Sequence, residues 1–201
     1  MKFIYLTALA FVSSLSLLGQ NEENLQPKEA QVFFSPQDHL DQKLISLIDK
    51  ESVSIRAAIF CLTHRDIIKA LLEAKKRGVH VEVIIDKFTI KAKAPIKRMA
   101  QGGITIYVWD PQTKTPVQSM KKQKTPLMHN KFCLFESQQT VWSGSFNFTF
   151  EGASSNQENA IILKEDKNFG LFKAQFTSIK EAGCKSWKDY LATSSEKKSA
   201  K

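Results

Sequence analysis

Met128-His129-Asn130-Lys131-Phe132-Cys133-Leu134-Phe135-Glu136 is an apolar run that carries an imidazole and an ammonium two residues apart. Alternate side chains of an extended chain share a face, so His129 and Lys131 point the same way. A second β-rich stretch, Thr140 to Ser145, follows after a short polar turn. The same alternation puts Ser145 and Asn147 on one face, and Glu158 opens a third strand that runs to Lys164. With these strands as neighbours, five polar groups converge: an imidazole, an ammonium, a hydroxyl, an amide and a carboxylate. Several of the strands are apolar on both faces, which requires cover on both sides of the sheet.

Upstream the pattern alternates between strand and helix. Val32-Phe33-Phe34, Ser52 to Phe60, Val79 to Ile85 closed by Asp86, and Ile104 to Val108 read as strands. Ser35-Pro36 predicts a helix start, with Ser35 as N-cap, Asp38 in the first turn, and Leu40, Leu44 and Ile48 as an apolar stripe. Thr63-His64-Arg65-Asp66 resembles a capping box, ahead of Ile67/Leu71 and Ile68/Leu72, and Gly78 suits the helix end. A weaker helix is expected over Ala92 to Ala100. A last helix is expected from Asp166, with Phe169, Phe172, Phe176 and Ile179 on one face. The expected fold is α/β: one domain with a mixed sheet flanked by helices on both faces, over residues 32–192.

Outside that domain, Met1 to Gly19 holds a lysine and then a long apolar run, and reads as an export signal or an N-terminal anchor. Residues 20–31 read as a polar linker and 193–201 as a disordered, basic Ser/Lys-rich tail. The expected location is periplasmic or secreted, with the apolar segment as a possible membrane anchor. The net charge of +9 favours a polyanionic partner, either nucleic acid or an anionic lipid surface, without choosing between them. Three scattered cysteines form neither a disulfide framework nor a zinc-ligand set, so no metal or cofactor is expected.

The converging groups suit an anionic substrate. Lys131 offers a point charge to a phosphate oxygen, and Ser145 and Asn147 offer hydrogen-bond donors where negative charge grows. His129 can attack phosphorus or move a proton near neutral pH, and Glu158 can orient its ring. Lys121, Lys122 and Lys124, in a lysine- and proline-containing loop, are candidates for binding further phosphates; Lys87, Lys91, Lys93, Lys97 and Arg98 form a second basic stretch. Trp109 reads either as a stacking platform for a base or as a core or rim anchor. His39 and His80 read as surface groups, and His64, which follows a strand end, reads either as a residue near the cleft or simply as a helix-start residue.

His129-x-Lys131, then Gly144-Ser145-x-Asn147, then Glu158, resembles the HKD motif of the phospholipase D superfamily. Met128 to Thr149 looks like the single-motif bacterial Nuc-type endonucleases and their relative, mitochondrial cardiolipin hydrolase, and Ala57 to Asp86 is similar to the same group. The resemblance implies an α-β-α sandwich and a phosphohistidine intermediate. It also implies independence of metal, and a homodimer whose active site takes one motif from each subunit. One position departs from the pattern. Where the family carries an Asp with four residues between it and the Lys, Glu136 stands in that place after Lys131, before a longer turn. The resemblance places that acid away from the phosphate, so Glu136 is read as a structural change. Three functions follow as expectations: a metal-independent endonuclease for DNA or RNA, a phospholipase D-type lipid hydrolase, or an inactive nucleic-acid-binding module.

Overall fold

The computed structural model describes residues 30–91, 93–111 and 126–199. The export segment, the linker up to residue 29, and Lys121, Lys122 and Lys124 lie outside the described residues. The elements run β1 (Gln31–Phe34), α1 (Leu40–Lys50), β2 (Ser54–Ile59), α2 (Arg65–Lys76), β3 (His80–Asp86), a 3₁₀ turn (Lys87–Lys91), α3 (Lys93–Gln101) and β4 (Thr105–Trp109). They continue with β5 (Lys131–Phe135), β6 (Thr140–Gly144), α4 (Phe150–Ser154), β7 (Asn159–Leu163), α5 (Asp166–Gly183), β8 (Cys184–Ser186) and α6 (Trp187–Ser199).

All eight strands join one sheet in the order β1-β7-β6-β5-β2-β3-β4-β8. β2, β3 and β4 are parallel, while β5 pairs antiparallel with β2 on its other side, and β6 and β7 continue antiparallel. Along β5 the side chains alternate between two cores. Cys133 and Phe135 face a core shared with Leu44 and Ile48 of α1 and with Ile67 and Leu71 of α2. Phe132 and Leu134 face Phe169, Phe176 and Ile179 of α5. The expected sandwich, helices on both faces of a mixed sheet, is the observed one.

Three local expectations are corrected. α1 starts at Leu40, not at Ser35-Pro36, and its N-cap position is His39 in a left-handed conformation. The Ser35 hydroxyl is engaged elsewhere, donating to Asn156 O and accepting from Glu158 N, and so ties β1 to the entry of β7. α2 does start after His64, but no side-chain cap bond forms there. The chain beyond Thr193 continues α6 to Ser199. Ser186 begins that helix by accepting from Asp189 N and donating to the Asp189 carboxylate, and neither proline nor glycine interrupts it. The helix end at Gly78 is as expected: its φ of 93° is open to glycine, and Val79 N bonds back to Ala74 O.

Candidate active site

The strand polarities bring four chain segments to one end of the sheet: the exits of β2 and β6 and the entries of β5 and β7. Ile59 pairs with Lys131, Phe132 with Ser143, and Gly144 with Ala160. Beyond Ile59 the chain stays extended, and Phe60 N donates to Asn130 O at 2.9 Å. His129 therefore lies just before β5, not within it, against the Phe60 ring at 4.6 Å between centroids.

The Lys131 side chain lies on the same face. It is 8% exposed, and its Nζ donates to the His129 carbonyl at 2.8 Å while standing 3.2 Å from Nδ1 and 3.4 Å from Nε2. The ammonium thus flanks the imidazole directly. Burial pulls the Lys131 pKa below the ordinary lysine value, and the charges of Glu158 and Cys61 act against that shift. Burial strips water from the Lys131 side chain, which leaves its remaining donors free to meet a phosphate oxygen.

Gly144 lets β6 approach β7. A β-carbon there would clash with the Asn159 carbonyl and lie 2.9 Å from the Ala160 α-carbon. Ser145 N then bonds Asn159 O and Oδ1, and the Ser145 hydroxyl donates to Glu158 Oε2 at 2.5 Å while accepting from Asn159 N. Past Ser145 the chain arches over the entry of β5 to reach β2. Phe148 N donates to Cys61 O, and Thr63 N and His64 N both donate to Phe148 O. Asn147 sits in this arch, and its Oδ1 accepts from Cys61 N at 3.2 Å. That bond orients the amide with its NH₂ end available to a substrate.

The structure thus gathers His129, Lys131 and Asn147, with Ser145 and Glu158 as a bonded pair at their side. Glu158 bonds Ser145 and Asn156 rather than the His129 ring, so its influence on the site is the charge it sets near Lys131. Three contributors were not found from sequence. Phe60 is the wall behind the imidazole. Cys61 lends its backbone amide to Asn147. Asp86, fully buried at the end of β3, accepts from Met128 N at 2.8 Å and Phe88 N at 2.9 Å, and so holds the residue before His129. The only sequence signal for Asp86 was its place at the end of an apolar strand.

Other candidates resolve as follows. Trp109 is a rim anchor: its Nε1 donates to Pro126 O, and its ring approaches Gly183. Lys87 pairs with Asp110, while Lys97 and Arg98 are exposed on α3. His39 and His80 are surface groups; His80 stands 3.5 Å from Glu82. His64 is buried at 5% exposure, with Nε2 3.6 Å from Asp41 Oδ2. Glu136 lies at the far end of β5. It accepts from Arg56 and Lys173, each at 2.7 Å, and Arg56 also pairs with Glu82, which pairs with Lys180. This chain of charges ties β2, β3 and β5 to α5. Among the described residues, no group of three or more His, Cys, Asp or Glu side chains is gathered to hold a metal ion.

Comparison with known proteins locates this arrangement. A family model described as the PLD-like domain of cardiolipin synthase matches residues 44–180. The solved structure of Nuc, a phospholipase D family member from Salmonella typhimurium, is similar with 30% identity and a TM-score of 0.66, covering 79% of this chain and 97% of that one. The mitochondrial cardiolipin hydrolase of Drosophila melanogaster is 29% identical over 163 residues, 71% of this chain and 59% of the fly protein, so the chain spans well under two thirds of that relative. A phospholipase D of Rickettsia conorii is 25% identical over 158 residues, 78% of this chain and 72% of that protein.

Proposed function

This chain belongs to the PLD-like domain family, and from that premise we propose that it is a metal-independent phosphodiesterase whose substrate is nucleic acid. The observation that carries the reading is the Lys131 ammonium lying against the His129 imidazole, with the Asn147 amide held beside them. In the proposed reaction an imidazole nitrogen of His129 attacks phosphorus and forms an N–P bond, and the bond to the leaving oxygen breaks. Lys131 and the Asn147 NH₂ stabilise the non-bridging oxygens as charge builds. A proton must reach the leaving oxygen, and the single motif of one chain supplies one suitable histidine. A second His129, across a two-fold axis, supplies the acid, and the active unit is then a homodimer. Water afterwards cleaves the N–P bond, and His129 is restored.

Nucleic acid is favoured over lipid by the 30% identity to Nuc over nearly all of that chain, and the net charge of +9 suits such a polyanion. The lipid reading has its own support: similarity to the fly cardiolipin hydrolase, and the exposed apolar side chains Phe88, Leu127 and Phe150 at the site end of the sheet. The test is to incubate the protein, in chelator, with labelled single-stranded DNA in one arm and cardiolipin vesicles in the other. Cleavage of DNA alone supports the proposal, and release of phosphatidic acid alone replaces it with the lipid reading.

A further inference from the structure

His64 is a buried histidine that the proposed chemistry does not use. It is 5% exposed, and its Nδ1 has no hydrogen-bond partner. Native structures rarely leave a buried ring nitrogen unmet. His64 lies where two clefts meet: one of about 430 Å³ lined by Thr63, His64, Arg65, Asp66, Phe150 and Glu151, and one of about 360 Å³ toward His39 and Gln42. The larger is within the size range of small-ligand sites. Its outer wall is Phe150, 66% exposed, with its ring centroid 6.3 Å from that of His64 and the planes 31° apart.

This cleft adjoins the active site. Phe148, two residues before Phe150, accepts from Thr63 N and His64 N, and Asn147 is fixed to Cys61 N. The Cys61 thiol feels both sides: burial raises its pKa, Glu151 of the cleft adds to the rise, and Lys131 of the active site opposes it. The lining is chemically mixed. Arg65 is exposed, but so are Asp66 and Glu151, which disfavours a second phosphate, and so polar a rim disfavours an acyl chain. An exposed aromatic face bordered by both donors and acceptors suits a flat heteroaromatic ring with a polar edge.

We propose that the cleft between Phe150 and His64 binds the base of a nucleotide flanking the scissile phosphate. The base stacks on Phe150, and its polar edge meets Thr63, His64 and the acidic rim. This rests on the nuclease reading and deepens it. Such a site gives the enzyme a grip on bases without demanding one sequence, because every base offers a face to stack.

The experiment compares kcat/KM for a labelled single-stranded oligonucleotide with that for the same oligonucleotide carrying abasic residues on both sides of one mapped scissile phosphate. A ratio of rates is insensitive to the fraction of folded protein. Wild type is expected to favour the base-bearing strand by roughly tenfold, in the range that aromatic–base stacking supplies. Phe150→Ala should bring the ratio close to one, and Phe150→Tyr should restore it. Equal wild-type rates on the two strands, or a Phe150→Ala ratio as high as wild type, overturns the subsite while leaving the nuclease reading in place. If neither strand is cut, the nuclease reading and the subsite both fail.

Discussion

His129 and Glu136 stand at opposite ends of strand β5, one just before its first residue and the other just after its last. Six residues lie between them, and the seven extended steps span roughly 20 Å. The imidazole therefore shares its surroundings with Lys131, Phe60 and Asn147, while the acid of the motif belongs to an ion-pair chain on the α5 side of the sheet.

His129→Ala is expected to remove hydrolysis altogether, by about a thousandfold or more, since it deletes the proposed nucleophile. Its ring is exposed and lies against Lys131 and Phe60, so the thermal transition should move by no more than an exposed-site change allows, about 0.5 kcal/mol. Turnover and calorimetry on the same preparation check both halves. Wild-type turnover in the variant would end the mechanistic proposal.

Glu136→Gln should behave in the opposite way. It breaks the pairs with Arg56 and Lys173, both partly exposed, and costs about 1 kcal/mol of stability. At a temperature where the variant is fully folded, kcat and KM are expected to match wild type. A tenfold loss of kcat there would show that the acid acts on the site from across the strand.

Glu51 gives the fold a measurable pH dependence. It is 1% exposed, and its carboxylate accepts from the amides of Ser52, Val53, Ser54 and Ser137 and from the Gln138 side chain. Burial pushes its pKa up, yet the amides of Ser137, Val53 and Ser54 together hold it below the ordinary value of 4.5. A depressed carboxyl stabilises the fold above its unfolded pKa, and that contribution is lost as pH falls through the folded value. Glu51→Gln should cost about 2 kcal/mol at pH 7 through unmet amides. It should also lose less of its remaining stability than wild type on acidification below about pH 4.5. Parallel melting curves from neutral to acid pH would contradict this.

Subunit mixing tests the shared site. Wild-type protein is co-refolded with a growing share of His129→Ala protein at fixed total concentration, and mixing is verified by differential labelling. If each site needs two imidazoles, activity follows roughly the square of the wild-type fraction. A linear decline would show that one chain is sufficient.

Much of this architecture was legible in sequence because it rests on short-range periodicity. Alternation exposed the strands around Lys131 and Val141, and the His129-x-Lys131 spacing announced the chemistry although His129 itself lies just before the strand. What escaped notice depends on partners distant in the chain. Ser35 looked like a helix cap, but its hydroxyl serves Asn156 and Glu158, more than a hundred residues away. Asp86 looked like a strand terminus until Met128 N was found upon it. The three-residue β8 is too short to show a period, and it forms by pairing with β4 rather than by its own propensity. The last helix hid behind a Ser/Lys-rich composition because the cap at Ser186 is a local bond, not a compositional trend.

The change of direction at β2 also bears on the order of assembly. Its parallel contact with β3 joins residues 54–59 to residues 80–85, near in the chain, with α2 between them. Its antiparallel contact with β5 joins residues 55–59 to 131–135, across α2, β3, α3 and β4. Closing the longer loop carries the larger entropic cost, and distant pairings slow folding. His129 meets Phe60 and Lys131 meets Ile59 only when that second pairing is made. On refolding, the parallel half can gather its hydrophobic contacts first, and catalytic competence arrives with the late docking of the β5–β6–β7 half. A nascent chain is thus inert toward phosphodiesters until its C-terminal half has been made and docked.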